Sequence, residues 1–198
     1  MDIRRFFGTV PQKEEQTQKK PKLESKSWNV YTDGSTINNG KKGSYGGIGV
    51  FFNDNNPMNI SEAMIINGDG NVTNNICELE ACRKAILQIV TNKDFNVGDF
   101  IMVNTDSQYL INCITLWSTA WEKNGWLNKS RKPVKNKGLI REIKRLYLKY
   151  NVQFKHIMAH KEFIGEKDEN NMNYRDWYGN MMADKLAVLG SKKNNLIA

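Results

Sequence analysis

The 198-residue chain predicts an α/β fold, a mixed five-stranded sheet flanked by helices. Three observations carry this expectation. Three strand-like stretches with short connections follow one another early, which reads as an antiparallel meander. Two later apolar runs, FIMVNT and VQFKHIM, alternate with helical patterns, as parallel crossovers require. At 39% hydrophobic and 25% charged residues, most of the chain has the composition of one packed domain.

The elements follow in order. Residues 1–26 are rich in Lys, Glu and Gln and nearly free of apolar periodicity, so they read as a flexible leader. SWNVYTD predicts a strand ending at Asp33, and INNGKKGS a turn. YGGIGVFF predicts a second strand whose glycines permit close backbone approach. DNNP breaks it, and ISEAMII is the third. NGDGNVT is a loop, and a helix is expected over Asn74–Val90. FIMVNT reads as a buried strand, followed by a helix over 107–117. A basic region ends in a periodic helix over 138–150, VQFKHIM is the last strand, and a final helix is expected over 180–189, before Gly190.

No apolar run is long enough to span a membrane. The first fifteen residues lack the apolar core of a signal peptide. Cys77, Cys82 and Cys113 lie in apolar helical patterns and read as small core residues, not as a disulfide framework. An intracellular monomer is the expectation, with nucleus, cytoplasm or a viral replication site all open.

The net charge of +8 is localised. Residues 117–150 contain ten Lys/Arg and two Asp/Glu, a balance of 10 − 2 = +8, and the rest of the chain holds 19 of each sign. A solvated helix face is the ordinary meaning of such a run. Here Trp117, Trp121 and Trp126 interleave with the cations, which favours a nucleic-acid surface.

Four carboxylates stand in contexts where a charge is costly unless something positive meets it. Asp33 and Asp106 end strand-like runs. An Asp-Gly turn at Asp33 and a helix N-cap at Asp106, with Ser107 as rival cap, are the plain alternatives. Glu78 is more telling: Glu78, Ala81, Cys82, Ala85 and Ile89 share one helical face, an apolar stripe bearing a carboxylate. Glu80 falls with Arg83 and Lys84 on a face expected to be solvated. Asp184 shares its face with Met181, Ala187 and Val188. A buried Lys, Arg or backbone cap would satisfy either stripe acid, but two such cases favour divalent metal. His160, after the last strand, is by itself a weak signal. Beside a metal-activated water it would move a proton.

YTDGS, TNNICELEA, NTDSQYLINCI, WEKNGW, KPVKNK, the His after the last strand and GNMMADKLA occur in the order found in type 1 ribonuclease H. The resemblance covers about residues 28–190. It implies the ribonuclease H-like fold and an endonuclease that cuts the RNA strand of RNA–DNA hybrids, leaving 5′-phosphate and 3′-hydroxyl ends. Asp33, Glu78, Asp106 and Asp184 would hold two Mg²⁺ ions, with Mn²⁺ as a substitute. One ion would activate water, and the other would stabilise the leaving oxygen. His160 matches the family's mobile histidine. Asn74 and Asn75 match minor-groove contacts, Thr73 and Asn136 a DNA-phosphate pocket, and Trp117 and Trp121 a channel for the DNA strand. A catalytically inactive hybrid-binding module and a DNA-directed nuclease or integrase of the same fold are the alternatives.

The resemblance divides the chain into the leader (1–26), a catalytic domain (27–191) and a tail (192–198). The domain carries a basic handle over about 117–150 and an insertion over about 161–179. Asn71 and Ile76 depart from the family pattern, since basic residues are usual there, and a weaker phosphate grip is expected. The insertion beside His160 reads as a mobile loop over the metal site. Its Asp168, Glu169 and Asp176 are rivals to Asp184 as ligands, and Asp184 is preferred because GNMMADKLA matches as a block. Finally, Ile3, Phe6 and Phe7 have the aliphatic-x-x-aromatic-aromatic spacing of sliding-clamp-binding peptides, which implies recruitment to replicating DNA.

Overall fold

The computed structural model describes residues 25–64, 71–159 and 162–193. Strands β1 (Ser27–Ile37), β2 (Tyr45–Phe51) and β3 (Ile60–Met64) form an antiparallel meander. Strands β4 (Phe100–Thr105) and β5 (Asn151–His156) add in parallel beyond β1, giving the order β3-β2-β1-β4-β5. The mixed five-stranded sheet is therefore as expected. β1 does not end at Asp33. It runs four residues further because Gly34–Ile37 keep pairing with β2, so Asp33 lies mid-strand opposite Gly49.

Side-chain alternation along the strands assigns the two faces. Val30, Ile48, Val50, Ile101, Val103 and Val152 pack with α1 (Asn74–Val90) and α4 (Lys137–Lys149) in the main core. The neighbouring positions Tyr31 and Phe51 face the other way and meet α5 (Met172–Lys192) through Ala183. The three cysteines are free and buried, as expected.

Three glycines set how closely the helices approach. A Cβ on Gly47 or Gly49 would lie 2.0 Å from the carbonyl oxygens of Ala187 and Ala183, so α5 rests on the bare backbone of β2. A Cβ on Gly34 would lie 2.4 Å from the Glu78 nitrogen, so α1 reaches β1 only because residue 34 has no side chain.

Three helix boundaries differ from expectation. The helix after β4 is longer: α2 (Gln108–Asn112) passes through a π-helical turn (Cys113–Trp117) into α3 (Ser118–Lys123). The Ile114 carbonyl at this turn accepts from Ser118 Oγ and from buried Lys144 Nζ, both at 3.0 Å. α5 begins at Met172, not near residue 180, because Asn171 caps it by accepting from the Asn173 and Tyr174 amides. It also continues through Gly190, whose missing side chain permits contact with the Glu62 backbone and does not stop the helix.

The insertion is therefore half helix. Tyr174 and Trp177 stack at 5.9 Å, Phe163 packs on both, and Tyr178 meets Phe51 edge-on. Tyr178 and Asp176 bond to Asp54 and Tyr31, so this turn of α5 lies on the sheet and not over the carboxylates. Among the described residues no helix is long and apolar enough to cross a membrane.

Candidate active site

Three of the four carboxylates converge. Asp33 from β1, Glu78 from the second turn of α1 and Asp106 just past β4 each offer an oxygen within 4.8 Å of the others. Asp184 of α5 lines the same cavity of about 490 Å³, with Asn74, Asn75 and Tyr109. The plain alternatives for these residues fall away locally. Ser107 Oγ caps α2 by accepting from the Leu110 amide, which leaves the Asp106 carboxylate without a capping duty. Asp33 is not in a turn, and its Oδ1 accepts from the Gly34 amide at 2.7 Å.

Burial makes the cluster electrostatically unusual. Asp33 and Glu78 are 6% and 4% exposed. Among the described residues no Lys or Arg is hydrogen-bonded to either; Glu78 receives a long bond from Asn74 Nδ2, and its Oε2 has no partner. Burial, with Asp106 and Asp184 alongside, raises the Asp33 pKa from 3.8 to about 7. Burial and the neighbouring Asp33 and Asp106 charges push Glu78 well above the carboxylate range too. Hard oxygen donors, mutual repulsion and an orphaned buried oxygen fit a divalent cation.

Asp184 is half-buried at the mouth, and its helical face differs from the expected stripe. Met181 is 37% exposed, and the sheet-facing residues are Asn180, Ala183 and Ala187. The rivals do not compete. Asp176 pairs with Lys155 at 2.5 Å, while Asp168 caps its own turn and, like Glu169, is exposed outside the cavity.

The substrate-contact candidates form a second cavity beside the first. Thr73, Asn74, Asn75 and Asn136 line it with Tyr109 and Lys135. Thr73 caps α1 by accepting from Ile76, and Asn136 takes a left-handed backbone (φ 58°) before α4. Asn71 is occupied with the Gly40 carbonyl, so Lys135 is the basic side chain at this cavity. Tyr109, Trp117, Trp121 and Trp126 form a chain of ring contacts of 5.8–6.1 Å. Trp117 is 40% exposed, but Trp126 is buried at 7% under Lys137 and belongs to the core, not to a stacking surface. Glu80 is not simply solvated: it holds Arg83, which also reaches Glu142 on α4.

His160 and the Ile3, Phe6 and Phe7 motif lie outside the described residues. Two residues at the site are ones that sequence reasoning misses. Asn180 Nδ2 donates to Asp106 Oδ2 at 3.4 Å, and His156 Nε2 lies 3.1 Å from the Asp106 carbonyl oxygen. A polar residue four before Asp184 on one helical face is the available signal for Asn180. His156 gives none, because its role depends on the pairing of Thr105 with His156 across β4 and β5.

Residues 25–192 match the RNase H family. The chain belongs to this family. Mouse Ribonuclease H1 is 34% identical over 165 residues, 83% of this chain and 50% of the mouse protein. The Ribonuclease H of Anaplasma marginale is 33% identical over 141 residues, 70% of this chain and 84% of that protein. The chain thus spans about half the length of its mammalian relative. The foamy viral protease-reverse transcriptase in complex with RNA/DNA hybrid aligns with a TM-score of 0.60 at 22% identity, over 93% of this chain and 24% of that one. That likeness shows a shared fold.

Proposed function

We propose that this RNase H-family chain is a metal-dependent endonuclease that hydrolyses the RNA strand of RNA–DNA hybrids, with Mg²⁺ as the working ion. The observation that carries this reading is the convergence of Asp33, Glu78 and Asp106 from three separate elements into one open cavity, with Glu78 Oε2 unpartnered among the described residues. A binding module has no use for such a costly arrangement.

Asp33, Glu78, Asp106 and Asp184 would hold a pair of cations. Bound there, the metal supplies an activated water and charge neutralisation at the leaving 3′ oxygen. Asn180 holds the Asp106 carboxylate in place. Asn74 and Asn75, at the border of both cavities, present amides suited to 2′-hydroxyls, the groups that distinguish RNA. Thr73, Asn136 and Lys135 hold a phosphate of the DNA strand, whose sugars pass Trp117 and Trp121. His160 moves a proton at product release, and residues 1–8 bind a sliding clamp.

The test is one labelled strand set, RNA and DNA of the same sequence, presented with Mg²⁺ as RNA–DNA, RNA–RNA and DNA–DNA. The reading expects cleavage of the RNA in the hybrid alone. Binding without cleavage would make the chain a hybrid-binding module, and cleavage of DNA–DNA would make it a DNA-directed nuclease.

A further inference from the structure

Three polar residues of α5 are spaced by four, Asp176, Asn180 and Asp184, and so lie on one helical stripe. Each meets a different part of the molecule. Asp184 lines the acidic cavity, and Asn180 donates to Asp106. Asp176, in the inserted turn, accepts from Tyr31 Oη at 3.3 Å and pairs with Lys155 Nζ at 2.5 Å. The bonding continues: Asn29 Nδ2 donates to Tyr31 Oη, and Asn104 Nδ2 donates to Asn29 Oδ1 and to the Val30 carbonyl. One polar chain thus ties β5, α5, β1 and β4 together below the carboxylates.

We infer that Asp176 is a positioning residue for metal binding: its clasp on Tyr31 and Lys155 fixes where α5 sits along the sheet, and so where Asn180 and Asp184 meet the site. Three features support this. At Gly47 and Gly49, β2 presents bare backbone to α5 and no side chain to key into the helix. Lys155 pairs with Asn104, two residues before Asp106, so the clasp grips the strands that end at the site. The Asp176 side chain is 16% exposed against 38% for Lys155, so the acceptor end of the pair is held inside while the ammonium stays partly in water. The inference rests on the metal reading of the carboxylates.

The experiment titrates Mg²⁺ by calorimetry into the full chain and into Asp176→Asn, Lys155→Gln and the swap Asp176→Lys/Lys155→Asp, with melting curves for each. Tyr178→Phe is the control: Tyr178 lies on the same helix but off the stripe, and the change cuts its bond to Asp54 in the turn after β2. Asp176→Asn and Lys155→Gln should weaken Mg²⁺ binding about tenfold, the low end of what loss of support behind a metal ligand costs. Tyr178→Phe should lower Tm and leave Mg²⁺ affinity unchanged, and the swap should recover most of the affinity. Wild-type affinity in Asp176→Asn and Lys155→Gln, or a swap that restores Tm but not affinity, would make the clasp a brace only and overturn the inference. No Mg²⁺ binding by the wild-type chain would remove the metal reading itself, and the clasp with it.

Discussion

The acidic cavity and the basic segment over 117–150 place their charges by opposite rules. In the cavity, Asp33 and Glu78 are nearly sealed from water and have no cationic partner among the described residues. In the basic segment, Lys129, Arg131, Lys132, Lys135, Arg141 and Arg145 are all solvent-exposed. The exception is Lys144, whose ammonium is tied to the Ile114 carbonyl. Buried like charges store repulsion that a bound cation releases. Exposed like charges cost little and act at a distance on phosphates. The first arrangement suits chemistry and the second suits capture, and each is open to its own test.

The largest effect is expected in the cavity. Asp106→Asn removes a ligand while keeping the shape and should lower kcat for hybrid cleavage by at least about a hundredfold. Hybrid binding, measured without metal, should hold or tighten because a negative charge has gone. Cleavage at the wild-type rate would break the assignment of chemistry to the cavity.

The pH response comes next. Asp33 has its pKa raised from 3.8 to about 7, so the folded state keeps a proton that the unfolded chain has already lost. The contribution of Asp33 to metal-free stability is therefore full below pH 4, falls as pH rises towards 7 and is level above it, and the raised pKa of Glu78 acts in the same direction. Mg²⁺ must displace that proton, so apparent affinity should climb over the same window, with proton release seen as buffer-dependent heat. A pH-independent affinity from 5 to 8 would contradict the burial argument.

The basic segment should answer to salt and not to pH. Replacing Lys129, Arg131, Lys132 and Lys135 with Ala should raise KM and leave saturated kcat nearly intact. The log–log salt slope of binding should fall by about 0.9 for each phosphate that is no longer neutralised. An unchanged slope would make the segment a solvated face. A smaller effect is expected at Glu80→Gln. It loosens an ion pair between α1 and α4 without touching the carboxylates, so Tm should fall by about 2 °C or less with activity retained.

The same contrast explains what the sequence revealed. Glu78 was legible because a carboxylate on an apolar stripe is a local signal, and the basic run was legible as a count. The start of α5 was not. Its first two turns, Met172–Tyr178, mix Asn, Arg, Asp and aromatics just before Gly179, and their partners Tyr31, Phe51 and Asp54 lie more than a hundred residues away. The sequence predicts a strand end at Asp33 because DGS resembles a turn, whereas pairing with the glycines of β2 carries the strand onward. Trp126 looked like a surface ring because its neighbours are cations, but it packs inward.

The most direct measurement is the thermal stability at pH 8 of the wild-type chain and of Glu78→Gln, each with and without Mg²⁺. Without metal, the variant should melt higher, by about 2–4 °C for each kcal/mol of buried repulsion removed. With metal, the wild-type chain should gain stability and the variant should gain much less. A Glu78→Gln protein that melts lower without metal and gains as much from Mg²⁺ as the wild type would show that the cavity is not a cation site held in electrostatic tension.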